Sequence, residues 1–212
     1  MTTNPQTTPN QPLLFNLMIL DQSGSMSSMT DPVRHVFHGH LRSLVDEQNR
    51  LQDLQQFMQL WTFGGSTIHE AIPLMPVKAW DQSYPSYHPD GSTPLFDALA
   101  TALNALESHI SRQDLASDQY KVQVFIITDG EENSSKEYDG PGIARKIREL
   151  TAAGWTFDYY GTDHDIDKIA DELSIKNRKT FDKNAEGLFS VTNEYRIEKE
   201  VEKEKFMSSF KK

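Results

Sequence analysis

The chain has 212 residues, of which 21 are basic and 31 acidic, a formal charge of −10, and it contains no cysteine. That length suits one large domain with a buried core better than two small ones. The charge opposes a nucleic-acid partner, which needs clustered Lys and Arg against its phosphates. The missing thiols remove disulfides, cysteine nucleophiles and thiolate zinc sites.

The opening M-T-T-N-P-Q-T-T-P-N-Q-P carries no basic residue, and the apolar run after it is broken by Asn16 and ends in an acid. It does not read as a signal peptide, so residues 1–12 are expected to be a disordered leader and 13–212 a single domain. No window reaches the roughly 18 to 20 apolar residues of a membrane span, and the expectation is a cytoplasmic protein with no membrane partner.

Leu13 to Leu20 is nearly continuous apolar sequence, the pattern of a central strand covered on both faces. A helix follows, with Thr30 or Asp31 as cap, Pro32 in the first turn, and Val33, Phe37, Leu41 and Leu44 on one face. Phe57 to Phe63 reads as a second strand closed by Gly64-Gly65. Ile68 to Val77 reads as a third, confined to a sheet edge by Pro73 and Pro76. The short turn between these two strands makes them antiparallel.

Leu95, Leu99, Leu103, Leu106 and Ile110 mark the next helix, with Thr93 as expected cap and Pro94 as its first residue. Lys121 to Gly130 is another buried strand ending in an acid. Ile143, Ile147 and Leu150 mark a helix stopped by Gly154, and W-T-F-D-Y-Y-G follows as a strand. Ile166, Ile169 and Leu173 give a short helix, R-K-T-F-D a last strand, and Ala185 onward a final helix. Its charged end, E-K-E-V-E-K-E-K, is expected to be a solvated face with pairs such as Glu200 and Lys203. His35, His38 and His40 are likewise read as a solvated helix face rather than a zinc site.

This alternation predicts a doubly wound α/β fold: a mostly parallel six-stranded sheet, one antiparallel edge strand, and helices on both faces. Right-handed crossovers bring the loops after the first and fourth strands to the carboxyl edge of the sheet, where such folds bind ligands. There the sequence delivers Asp21, Ser23 and Ser25 from one loop, Thr93 from a helix start, and Asp129 from the other strand end. In an irregular loop, side chains two apart can turn to one point, so D-x-S-x-S offers three oxygens from five residues. Two carboxylates and three hydroxyls are hard donors, suited to Mg²⁺, Mn²⁺ or Ca²⁺. Singly, each has an ordinary explanation: Thr93 can cap a helix, and Asp129-Gly130 is a common turn pair.

Together, D-Q-S-G-S, G-S-T-P-L and I-T-D-G resemble the metal-ion-dependent adhesion site of the von Willebrand factor A-type (vWA) domain family, over nearly the whole chain from Leu13 onward. The resemblance implies a Rossmann-like fold in which Ser23 and Ser25 touch a divalent cation, most simply Mg²⁺. Thr93 then binds directly or through water, and Asp21 and Asp129 act through water or as acceptors for the serines. It implies capture of an Asp or Glu carboxylate from a partner protein, without catalysis. It also suggests stand-alone bacterial modules that work beside AAA+ ATPases or in stress and metal-resistance systems, and relatives whose C-terminal helix slides as the metal changes ligands. Met26, Tyr87, His88, Glu131 and Glu132 are the expected partner-binding rim.

Two alternatives stay open. One is a metal-dependent hydrolase using the same cluster, with Glu131 or His88 as base, although neither a G-x-S-x-G elbow nor a phosphate loop is present. The other is a scaffold whose metal is not used.

Overall fold

The computed structural model describes residues 11–110, 120–162 and 166–210. Its strands are β1 (Leu13–Asp21), β2 (Gln55–Gly64), β3 (Thr67–Pro76), β4 (Tyr120–Ile127), β5 (Trp155–Gly161) and β6 (Asn177–Thr180). Its α-helices are α1 (Thr30–Arg50), α2 (Leu95–His109), α3 (Gly140–Ala152), α4 (Ile166–Glu172) and α5 (Ala185–Phe210). One six-stranded sheet runs in the order β3-β2-β1-β4-β5-β6, with every pairing parallel except that of β2 with β3. The antiparallel strand bearing Pro73 and Pro76 lies at the edge, where a missing N–H does least harm.

All nine residues of β1 are buried, because both faces of the sheet are covered. Leu13, Phe15, Leu17 and Ile19 enter the core under α2, α3 and α4, and Met18 and Leu20 the core under α1 and α5. Asn16 falls on the second face, where its amide donates to the Phe57 carbonyl at 3.0 Å. The chain moves from β1 through α1 to β2 on one side and from β3 through α2 to β4 on the other. The strand order therefore reverses between β1 and β4. Open α/β sheets place ligands at that crevice, beyond the strands' carboxyl ends.

Several expectations are corrected. Residues 1–10 of the expected leader lie outside the described residues, but Pro12 belongs to the fold: it is buried, and its carbonyl accepts the Gln55 N–H at 3.0 Å. A 3₁₀ helix, Gly24–Met29, runs directly into α1, so neither Thr30 nor Asp31 caps it; the Thr30 hydroxyl donates back to the Ser27 carbonyl. The charged end of α5 is solvated on one side only, at Glu198, Glu204 and Lys205. Lys199 and Lys203 are only 2% and 3% exposed. Lys199 Nζ lies 2.8 Å from Asp158 on β5, and Lys203 pairs with Glu47 on α1. Glu200 reaches Arg50 instead of the expected Lys203.

His40 also leaves the expected solvated face, with its ring 5.8 Å from that of Phe125 and 5.7 Å from that of Tyr195. Burial pushes its imidazole down to about 3, and the nearby positive charges of Lys203 and Arg196 add to this. With an unfolded value near 6.5, the sign is fixed. Stability from neutral His40 is fully present above pH 6.5 and is lost as the pH falls toward 3. Between pH 7 and pH 5 this group should cost about 1–2 kcal/mol of unfolding free energy. In urea melts at the two pH values, His40→Gln should flatten the dependence by that amount; an unaltered slope would refute the assignment.

Candidate functional site

At the switch point β1 delivers Asp21, fully buried. Its Oδ1 accepts the Ser23 N–H at 2.7 Å, its Oδ2 accepts the Thr128 hydroxyl, and its carbonyl accepts the Tyr87 hydroxyl at 2.7 Å. Asp21 thus ties its own loop to the end of β4, with both carboxylate oxygens engaged. Burial pushes this carboxyl up to about 6, with the neighbouring Asp129 charge adding and the bonds from Thr128 and Ser23 opposing.

The other four candidates converge in front of it. Ser23 Oγ lies 3.0 Å from Ser25 Oγ, and Ser25 Oγ donates to Asp129 Oδ1 at 2.6 Å. Thr93 is buried and clamped through its backbone by Asn133, whose side chain accepts its N–H at 2.9 Å while the Asn133 N–H donates to its carbonyl at 3.2 Å. A Cβ placed on Gly130 would lie 3.0 Å from Thr93 Oγ1 and 3.3 Å from Ser25 Oγ. The two hydroxyls therefore face one small space that only glycine leaves open.

That cradle fits a hard divalent cation by its donor chemistry, three hydroxyls with one carboxylate beside them. Among the described residues no group of three or more His, Cys, Asp or Glu side chains is gathered as a metal site. A cation here would depend on the hydroxyls. Asp129 Oδ2 is buried and receives no well-directed hydrogen bond from the described residues; the Lys183 ammonium faces it at 2.6 Å as an ion pair.

The loops are held backbone to backbone. Gln22 N–H donates to the Phe63 carbonyl, Gly24 N–H to that of Gly91, Gly65 N–H to that of Ser92, and Asp90 N–H to that of Gln22, at 2.6 to 2.9 Å. This closeness needs bare backbone. A Cβ on Gly64 would sit 2.3 Å from the Gln22 carbonyl oxygen, and Gly91, at φ +72°, would drive one to 2.4 Å from Gly65 Cα. Gly64-Gly65, expected only as a hairpin turn, also seats the D-Q-S loop.

The expected rim is corrected in part. Met26 is fully buried and Tyr87 is 4% exposed with its hydroxyl engaged, so neither is presented to a partner. Glu132 is consumed internally: it accepts from the backbone of Ser134 and Ser135, from the Ser135 hydroxyl and from the Phe96 N–H. His88 and Glu131 are exposed. Nor does Thr93 cap α2. The N-cap position is Pro94, without a side-chain bond, and Glu132 from a distant loop satisfies the helix's early N–H. Sequence reasoning missed Thr128, Asn133 and Lys183. Thr128 adjoins Asp129 in the I-T-D-G motif and was open to notice; nothing local marks the other two.

No protein-family model and no curated protein matches the sequence. Solved structures match in fold. The open form of the pilus adhesin SpaC from Lactobacillus rhamnosus GG is 14% identical, with a TM-score of 0.64 over 92% of this chain and 30% of that one. The vWF domain of the type V pili tip protein Mfa5 from Porphyromonas gingivalis is 9% identical, with a TM-score of 0.58 over 88% of this chain and 96% of that one. The SpRpn10 VWA domain is 13% identical, with a TM-score of 0.56 over 86% and 95%. The chain spans less than half the length of the first structures it matches, 46% of a mussel byssus thread matrix protein and 30% of SpaC. At these identities the likeness establishes the fold, and the fold is vWA-like.

Proposed function

We propose that this vWA-like chain is a non-catalytic module that binds a protein partner through a divalent cation, Mg²⁺ in the first instance, held by Ser23, Ser25 and Thr93 with Asp129 beside them. The observation that carries the reading is the convergence of these side chains, from three loops, around the space bounded by Gly130. A bound ion would supply positive charge poorly compensated by neutral hydroxyls, and hence an attraction for a partner's Asp or Glu carboxylate. The chain's own residues divide the remaining work. Asp21 fixes the loop, Asp129 orients the Ser25 hydroxyl, and Asn133 sets Thr93.

The hydrolase alternative needs a free base beside the cradle. Both oxygens of Asp21 and both of Glu132 already accept hydrogen bonds, so that alternative rests on the exposed Glu131 or His88 as its base. No helix among the described residues is long and apolar enough to cross a membrane, and the proposal keeps a cytoplasmic setting, beside an AAA+ ATPase or in a stress or metal-resistance system, as the context to test first. Any sliding of α5 during capture would have to break its buried pairs with Asp158 and Glu47.

The immobilised protein should retain a partner from cell extract in Mg²⁺, release it into EDTA, and lose it on Ser25→Ala. Retention unaffected by EDTA and by the substitution would favour the scaffold whose metal is not used.

A further inference from the structure

We infer that Lys183 is a tethered counter-cation of this site: its ammonium neutralises Asp129 when no divalent ion is bound, and the ion must displace it to bind. The inference rests on the divalent-cation reading above and adds to it a built-in competitor that sets the cation affinity.

The side chain of Asp129 is 0% exposed, and that of Lys183 is 33% exposed. A carboxylate so enclosed is costly unless it is paired. One oxygen of Asp129 is used by the Ser25 hydroxyl; among the described residues the other has the Lys183 Nζ alone, at 2.6 Å. The ammonium thus stands against the same carboxylate that orients a proposed metal-binding hydroxyl. A divalent ion arriving among Ser23, Ser25 and Thr93 would meet a like charge already in place. Lysine is suited to yield, since its charge rides on a flexible stem and here keeps a third of its surface in water.

The tether is fixed at its base. Lys183 lies in the turn between β6 and α5, where the Asn184 side chain accepts the Gly187 N–H at 2.8 Å and its carbonyl accepts the Leu188 N–H at 3.2 Å. A Cβ on Gly187 would lie 2.5 Å from the Asp182 carbonyl oxygen, so the turn packs tightly on the first turn of α5. An ammonium on a short stem from a fixed base has a high effective concentration at Asp129. It competes with the ion as an intramolecular ligand does.

Calorimetric titration of the full chain with MgCl₂ and MnCl₂ tests this on the wild type, Lys183→Gln and Lys183→Arg. Removing the charge should tighten cation binding at least about tenfold, whereas arginine, which keeps it, should stay within about threefold of wild type. Thermal melts supply a second readout with an opposite sign. Without divalent ion, Lys183→Gln should melt below wild type, because Asp129 is left unpaired, and saturating Mg²⁺ should raise its melting temperature by more than it raises that of wild type. Equal or weaker cation binding by Lys183→Gln would overturn the competitor role while leaving the cation site standing. Failure of all three proteins to bind either ion at millimolar concentration would overturn both.

Discussion

Ser25→Ala should abolish Mg²⁺ binding in calorimetry and leave the ion-free protein folded, with a melting temperature a few degrees below wild type. Ser25 is exposed and its hydroxyl does nothing for the core, but it donates to the enclosed Asp129 carboxylate. A hydrogen bond to a charged group contributes about 1.5–3 kcal/mol. Its contacts with Ser23 and Asp129 are the ones that place an oxygen at the cradle. Losing even an outer partner of a metal site costs about 10- to 100-fold in affinity, so the loss for a direct ligand should be at least about a hundredfold on that scale.

Two further substitutions separate the roles. Gly130→Ala removes no oxygen but puts a methyl between Thr93 and Ser25, and it should weaken cation binding as strongly as the loss of a donor. Asp21→Ala should lose binding and stability together, because it leaves the Ser23 N–H without its acceptor and the buried Thr128 hydroxyl falling back on its longer contact with the Gly130 carbonyl. An unsatisfied buried donor costs about 1–3 kcal/mol. Equal Mg²⁺ binding by wild type and all three variants would remove the metal-site reading altogether.

The framework of this fold is legible because its signals are local. β1 announces itself by apolar residues on both faces, and β3 by two prolines that only an edge tolerates. The five candidate residues at the carboxyl edge were readable for the same reason, as each ends or begins an element. What was not readable depends on distant partners. Whether Tyr87 faces solvent or Asp21 is decided 66 residues away, and the capping of α2 by Glu132 is decided across 36. Lys183 has no local mark; only the folded turn before α5 brings it to Asp129.

α5 shows the same effect most plainly. Leu188, Val191 and Tyr195 begin a buried stripe that continues through Lys199 and Lys203 to Met207 at steps of three and four. The stripe is regular, but two of its members are charged, so a count of apolar residues loses it halfway. Ile197 and Val201, which the count does include, lie on the opposite side, 52% and 46% exposed.

The charged members of that stripe lead to the largest expected loss of stability. Lys203→Met should lower the unfolding free energy at pH 7 by about 3–5 kcal/mol, the cost of leaving one member of a buried ion pair alone. For a chain of this size that is a fall of roughly 6–20 °C in melting temperature. The side chains of Lys203 and Glu47 are 4% and 5% exposed, and burial pulls the lysine's pKa down even with the carboxylate beside it. Methionine fills similar space but leaves the Glu47 carboxylate enclosed without its cation. If the penalty is desolvation rather than lost attraction, the double variant Glu47→Gln/Lys203→Met should recover most of it, because no unpaired charge then remains at that position. Arg50→Ala, which removes the exposed pair with Glu200 in the same α1–α5 interface, should cost about 1 kcal/mol or less. A loss under about 1 kcal/mol for Lys203→Met in denaturant melts would mean that water reaches the pair, and α5 would then be held by its apolar residues and the Lys199–Asp158 pair.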